Sequence, residues 1–102
     1  MIDDETISRQ FRALAHPCRA RVFRMLLDAP ELGESAQTLG AAVKMPASTL
    51  ARHLREMEAA GVVHRRRNGA RVAIYLTPES LVALMTHVSY AVETKAYQLD
   101  AA

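Results

Sequence analysis

The sequence predicts a mainly α-helical domain carrying one β-hairpin, in the order α-α-α-α-β-β-α, and three observations carry that prediction. Apolar residues recur at a helical period from the N-terminus to Gly61. The period then shortens to two on either side of Asn68-Gly69, a strong hairpin signal. From Thr77 onward a helical period returns and runs without interruption toward the C-terminus.

The first helix is expected over residues 4–15, with Ile7, Phe11 and Leu14 on one face and Asp3, Asp4 and Glu5 favouring its start through the helix dipole. His16-Pro17 ends it, because a residue before proline is pushed out of the α region. Pro17 opens a second helix to about residue 29, with Val22, Phe23 and Leu26 inward. Residues 29–34 read as a loop punctuated by Pro30 and Gly33. Ser35 is the expected N-cap of a short third helix over residues 35–43. Lys44-Met45 turns the chain tightly into a fourth helix, residues 45–61, whose apolar stripe is Leu50, Leu54 and Met57. Pro46 suits its first turn and Gly61 its end. Two short helices joined by so few residues form a helix-turn-helix.

Residues 62–67 and 71–76 are the two strands. With Asn68-Gly69 as a two-residue turn, Arg65 faces Val72 and Val63 faces Ile74, which leaves arginines at the tip of the ribbon. A cationic β-ribbon directly after a reading helix is a wing, so the expected fold is a winged helix-turn-helix. Thr77 as N-cap, Pro78 and Glu79 start the last helix, which is read to about residue 95, with the tail 98–102 frayed. Its stripe of Leu81, Leu84, Met85, Val88 and Val92, together with Ile7 and Phe11 of the first helix, exceeds what this core needs and is read as a homodimer interface.

The chain is read as one domain over residues 1–102. Its net charge of +2 hides an uneven distribution, since residues 44–71 hold seven cationic side chains against two glutamates. That focus is the footprint of a nucleic-acid face. The DNA-contact set is Lys44, Pro46, Ala47, Ser48, Thr49, Arg52, His53 and Arg55 around the start of the fourth helix. Arg65, Arg66, Arg67, Asn68 and Arg71 join it from the wing. Short hydroxyls and arginines there meet base edges and phosphates, and only the base contacts carry specificity. Arg52 reaches either a guanine edge or a phosphate, and Thr49 or His53 either contacts DNA or braces the motif.

Cys18 is the only cysteine, so no disulfide forms within the chain and an intracellular, cytoplasmic location is expected. The acidic N-terminus does not read as a leader, and no stretch approaches the roughly 20 apolar residues of a membrane span, so no membrane partner is expected. Cys18 lies in the first turn of the second helix, where the dipole lowers a thiol's pKa, with His16 and Arg19 beside it in sequence. It is read either as a redox or electrophile sensor, with His16, or as a small half-buried structural residue. His16, His53, His64 and His87 are not spaced as a ligand set, so no metal and no cofactor are expected. Met25, Met45, Met57 and Met85 allow an adaptable apolar pocket, and a small organic inducer is the expected input. The chain has no Gly-rich phosphate loop, nucleophile elbow or spaced acid pair, and is not read as an enzyme.

Residues 11–19, FRALAHPCR, resemble the F-x-A-L-A-[DH]-P-x-R opening of the ArsR-type (ArsR/SmtB) winged-helix repressors. Residues 48–54, STLARHL, resemble that family's S-T-[VL]-S-R-H-L reading helix, and Ala60-Gly61-Val62-Val63 with Arg65-Arg66-Arg67-Asn68-Gly69 resembles its A-G-L-V and basic wing. The match covers about residues 7–90. It implies a homodimeric transcription repressor, joined through its first and last helices, that leaves its operator when an inducer binds. Three departures stand out. Pro46-Ala47 replaces the frequent Ser-Gln, removing a glutamine that reads adenine. Gly33-Glu34-Ser35-Ala36 stands where many members carry paired cysteines, and His87 and Glu93, six apart, do not share a face of the last helix. The resemblance therefore does not extend to the family's metal sites. Two other readings remain, a thiol-sensing repressor acting through Cys18 and a protein-interaction module on the same scaffold. The charged wing argues against the second.

Overall fold

The computed structural model describes residues 3–101, and local chemistry sets where each element starts and stops. Helix α1 (Asp4–Leu14) opens on Asp3, whose Oδ1 accepts the Thr6 N–H at 2.8 Å. That bond, from the Thr6 amide, holds the Asp3 carboxyl below its ordinary pKa. Helix α2 (Pro17–Asp28) opens on His16, whose Nδ1 accepts the Cys18 N–H at 3.0 Å. Helix α3 (Ala36–Val43) opens on Ser35, the predicted cap, whose hydroxyl accepts the Thr38 N–H at 3.0 Å. Helix α4 (Ala47–Ala59) closes in a Schellman motif: Gly61, at φ 77°, donates to Glu58 O and Val62 donates to Met57 O, both at 3.0 Å.

Strands β2 (Val63–Asn68) and β3 (Arg71–Leu76) form the predicted hairpin, followed by α5 (Pro78–Ala101). A third strand, β1 (Gly33–Ser35), follows a 3₁₀ turn at Pro30–Leu32 and pairs antiparallel with β3, giving the sheet order β1-β3-β2. By sequence this stretch is only a loop. Three residues with no alternation carry no strand signal of their own, and their pairing is supplied by β3.

The hairpin register also differs from the expected one. Asn68 pairs with Arg71, Arg65 with Ile74 and Val63 with Leu76, so the two loop residues are Gly69 and Ala70. Of these only Gly69 has positive φ, at 67°, the sign pattern of a type II′ turn, which needs glycine at its first position alone. A shift of one residue on each strand keeps every side chain on its expected face.

The core joins Val22 and Leu26 of α2, Leu39 of α3, Leu50, Leu54 and Met57 of α4, and Val62, Val63, Ile74 and Leu76 from the sheet region. Each such side chain contributes about 1.5–3 kcal/mol of burial. Helix α5 extends past the expected residue 95 to Ala101. Leu81 and Leu84, read as dimer contacts, are buried inside the protomer instead. Met85, Val88 and Val92 remain exposed, as do Val82, Tyr90 and, on α1, Phe11; Ile7 is half-buried. The molecule measures 58 × 24 × 24 Å, its long dimension consistent with a 24-residue terminal helix about 36 Å in length. Among the described residues, no helix is long and apolar enough to cross a membrane.

The Tyr75 ring lies across Gly33, its cross-strand partner, so closely that a Cβ at Gly33 would overlap it. The same ring stacks on His64 and carries the Arg66 guanidinium 5.0 Å from its centroid. Gly33→Ala is therefore expected to push Tyr75 out of this stack and cost about 1–3 kcal/mol, the usual cost of overpacking. Urea unfolding checks it, and Gly33→Ala in a Tyr75→Ala background should cost far less.

Candidate nucleic-acid interface

The turn between α3 and α4 is made by Lys44, which adopts the left-handed conformation at φ 54° and ψ 48°. For a residue other than glycine this costs about 1–2 kcal/mol, and here it sets the tight angle between the two helices. Pro46 sits at the N-cap position of α4 rather than inside its first turn, and it supplies no side-chain cap. Its carbonyl accepts from Thr49 and Leu50, both at 3.0 Å. The first amides of α4 are thus left without a side-chain acceptor, at the positive end of the helix dipole.

Ser48, Arg52 and Arg55 follow at i, i+4, i+7 and are all exposed, so they form one outward face while Leu50, Leu54 and Met57 hold the opposite face in the core. Ala47 is exposed on the first turn and Thr49 is half-buried at its edge. His53 departs from the expected set. It is only 4 % exposed, and its Nδ1 accepts a hydrogen bond from Arg19 Nε at 3.0 Å. Burial first, then the neighbouring His16, Arg19 and Arg52, lower its pKa, with Glu56 opposing. His53 therefore braces α4 against α2, the second of its two sequence-level readings. Arg19 is the partner that the sequence did not reveal, since it lies 34 residues away.

In the wing, Arg65, Arg66, Arg67, Asn68 and Arg71 are all exposed. Pairing splits them between faces. Arg65 lies opposite Ile74 and Arg67 opposite Val72, on the side turned to the core, whereas Arg66 shares the outer face with His64 and Tyr75. Arg65 Nε also donates to Glu58 Oε2 at 2.8 Å, which ties the wing to the end of α4. Both partners are substantially exposed, so this pair is worth little as stability, at most about 1 kcal/mol. Its effect is positional. The Ser80 hydroxyl, donating to Gly61 O at 2.9 Å, fixes the same corner from α5.

Cys18 is 8 % exposed, and burial raises its thiol pKa, with Arg19 opposing only in part. The expected depression by the helix dipole is overturned by desolvation. The structure also brings together residues that the sequence kept apart: ligand atoms of His16, Cys18 and His53 all lie within 4.8 Å of one another.

A family model described as a helix-turn-helix domain matches residues 14–66, just over half of the chain. No curated protein matches significantly. Solved structures do. An ArsR-like transcriptional regulator from Rhodococcus sp. RHA1 superposes with a TM-score of 0.76 at 20% identity, over 95% of this chain and 89% of that one. The homodimeric winged helix-turn-helix DNA-binding domain of a possible ArsR-family transcriptional regulator from Mycobacterium bovis gives 0.69 at 21% identity, over 90% and 82%. A possible transcriptional regulator for arsenical resistance gives 0.69 at 26% identity, over 80% and 82%. The chain belongs to the helix-turn-helix domain family, and its fold is that of the ArsR-family winged helix-turn-helix regulators.

Proposed function

We propose that this protein is a homodimeric transcription repressor that binds operator DNA and is released by an effector. The observation that carries the reading is the set of exposed side chains on adjoining elements, Ser48, Arg52 and Arg55 on the outer face of α4, Arg66 and Arg71 on the outer face of the wing and Arg67 on its other face. Each protomer lays the start of α4 in a major groove. The uncapped amides at Ala47 and Ser48 meet a phosphate, as helix N-termini do. The wing flanks the groove, and two half-sites about 34–36 Å apart match the dimer. Homodimerisation is supported by the exposed apolar faces of α1 and α5 and by the dimeric M. bovis domain of the same fold. A repressor of this kind works in the cytoplasm.

A small organic inducer has one supporting feature, an apolar groove of about 410 Å³ lined by Ala36, Gly40, Met45, Leu50 and Leu54 between α3 and α4. Thiol sensing through Cys18 is disfavoured by its burial and raised pKa. A purely protein-binding module leaves the basic wing without a use.

The test is fluorescence anisotropy with a labelled fragment from upstream of the gene, against scrambled competitor at two salt concentrations. Arg52→Ala is expected to lower affinity and narrow the gap between operator and scrambled DNA, with each lost base contact worth about 1–3 kcal/mol. Arg66→Ala is expected to weaken both DNAs alike and flatten the salt slope by about 0.9. Equal loss on both DNAs for Arg52→Ala would remove its base-reading role. No binding from a folded dimer would remove the repressor reading.

A further inference from the structure

His16 at the turn into α2, Cys18 in its first turn and His53 on the inner side of α4 converge, with ligand atoms all within 4.8 Å of one another. The two imidazole rings lie 4.5 Å apart between centroids, tilted by 47°. Met45, in the turn between α3 and α4, brings its Sδ to 3.7 Å from Cys18 Sγ. Two imidazole nitrogens and one thiol thus cluster, the Met45 thioether lies against the thiol, and among the described residues no carboxylate belongs to the group.

Hard cations require oxygen ligands, and this group offers none. Thiolate and thioether donors select soft ions, Cu(I) foremost. Charge points the same way. A single thiolate neutralises a monovalent ion, whereas a divalent ion would leave net positive charge beside Arg19 and against the buried His53 and Cys18, although His16 opens the site to solvent. We propose that His16, Cys18 and His53, with Met45 as a weaker fourth donor, form a binding site for Cu(I).

Metal–ligand bonds of about 2.0–2.3 Å place neighbouring ligand atoms about 3.3–4 Å apart, so the group closes by roughly an ångström on loading. The Cys18 S–H bond breaks, its proton passes to solvent, and the thiolate forms the S–Cu bond with no change in oxidation state. Two existing hydrogen bonds break as well. His16 Nδ1 now accepts the Cys18 N–H, and His53 Nδ1 accepts Arg19 Nε–H. An ion on Nδ1 displaces those donors. An ion on Nε2 moves the ring proton to Nδ1, which then no longer accepts. Either way Arg19 lets go of His53, and the reading helix loses its brace to α2. That consequence for DNA rests on the repressor reading, whereas occupancy of the site does not.

The test is anaerobic titration of the reduced, metal-free full chain with Cu(I) against a chromophoric chelator. One equivalent per protomer is expected to be retained. Cys18→Ser and His16→Ala, the latter an exposed side chain, should each weaken retention by roughly 100-fold. Met45→Leu should weaken it less, and circular dichroism establishes that each variant is folded. X-ray absorption should show both sulfur and nitrogen around copper. No retention by the folded wild type, unchanged retention in both Cys18→Ser and His16→Ala, or Zn(II) held more tightly than Cu(I) overturns the proposal. Anisotropy with operator DNA then reads the consequence. One equivalent of Cu(I) should release the wild type and not Cys18→Ser, and unchanged DNA affinity in the loaded wild type overturns the regulatory role. If the metal-free protein shows no operator preference, the repressor reading fails while the copper titration still decides the site.

Discussion

Substituting aspartate for both Met85 and Val88 is expected to give a folded monomer whose operator affinity is lower by about 100-fold or more. Both side chains are exposed on α5, beyond the point where Leu81 and Leu84 enter the core, so neither change opens a cavity. In a dimer each would bury a carboxylate against apolar surface, which costs several kcal/mol unless paired. Losing the second reading head removes the effective-concentration gain of two linked sites, itself about 10²–10⁴-fold. Sedimentation velocity reads the association state, far-ultraviolet circular dichroism the fold, and anisotropy the affinity. A double variant that still sediments as a dimer would place the interface elsewhere and leave the apolar α5 face without this role.

Met57→Ala is expected to destabilise the protein by about 2–5 kcal/mol, the range for truncating a fully buried methionine. Met57 is 0 % exposed, on the inner face of α4, and its carbonyl also accepts the Val62 N–H that closes the helix. For a chain of this size each kcal/mol lowers Tm by about 4–8 °C. Differential scanning calorimetry measures the change. Because Met57 faces away from Ser48 and Arg52, the folded fraction should keep operator preference at low temperature. A Tm within 4 °C of wild type would mean that α4 is not anchored through this side chain.

Most of the architecture was legible because it is written in local chemistry. Asp3, Ser35, Pro17, Pro78 and Gly61 punctuate the helices by rules that act within four residues. What escaped depends on partners distant in sequence. Strand β1 exists because Gly33 fits beneath Tyr75, 42 positions later in the chain, and nothing in Gly33-Glu34-Ser35 announces it. The hairpin register turned on whether glycine takes the first or second turn position, a choice that Asn68-Gly69-Ala70 leaves open.

The site was read with the same strengths and blind spots. Ser48, Arg52 and Arg55 share an outward face because helical spacing requires it, whereas His53, grouped with them in sequence, falls about 140° from Ser48 and only about 40° from Met57 on the helical wheel, beside the buried stripe. Arg19, from another helix, supplies the bond that lets His53 turn inward. Apolarity could not separate Leu84 from Val88 on α5, since a stripe looks the same whether it faces its own core or solvent. Of the His16–Cys18–His53 group, the sequence pairs His16 with Cys18, while His53 joins them only when α4 packs on α2.

The length of α5 has a mechanical consequence. In the proposed dimer this stiff rod is the axle about which two reading heads are mounted, each about 17 Å from the dyad if half-sites lie one turn apart. A rotation of about 10° at the axle then displaces each head by about 3 Å, close to the 3.4 Å step between stacked bases. An effector has no need to unfold or occlude the reading surface. A pivot too slight to change any single contact within a protomer is enough to put the second head out of phase with its half-site.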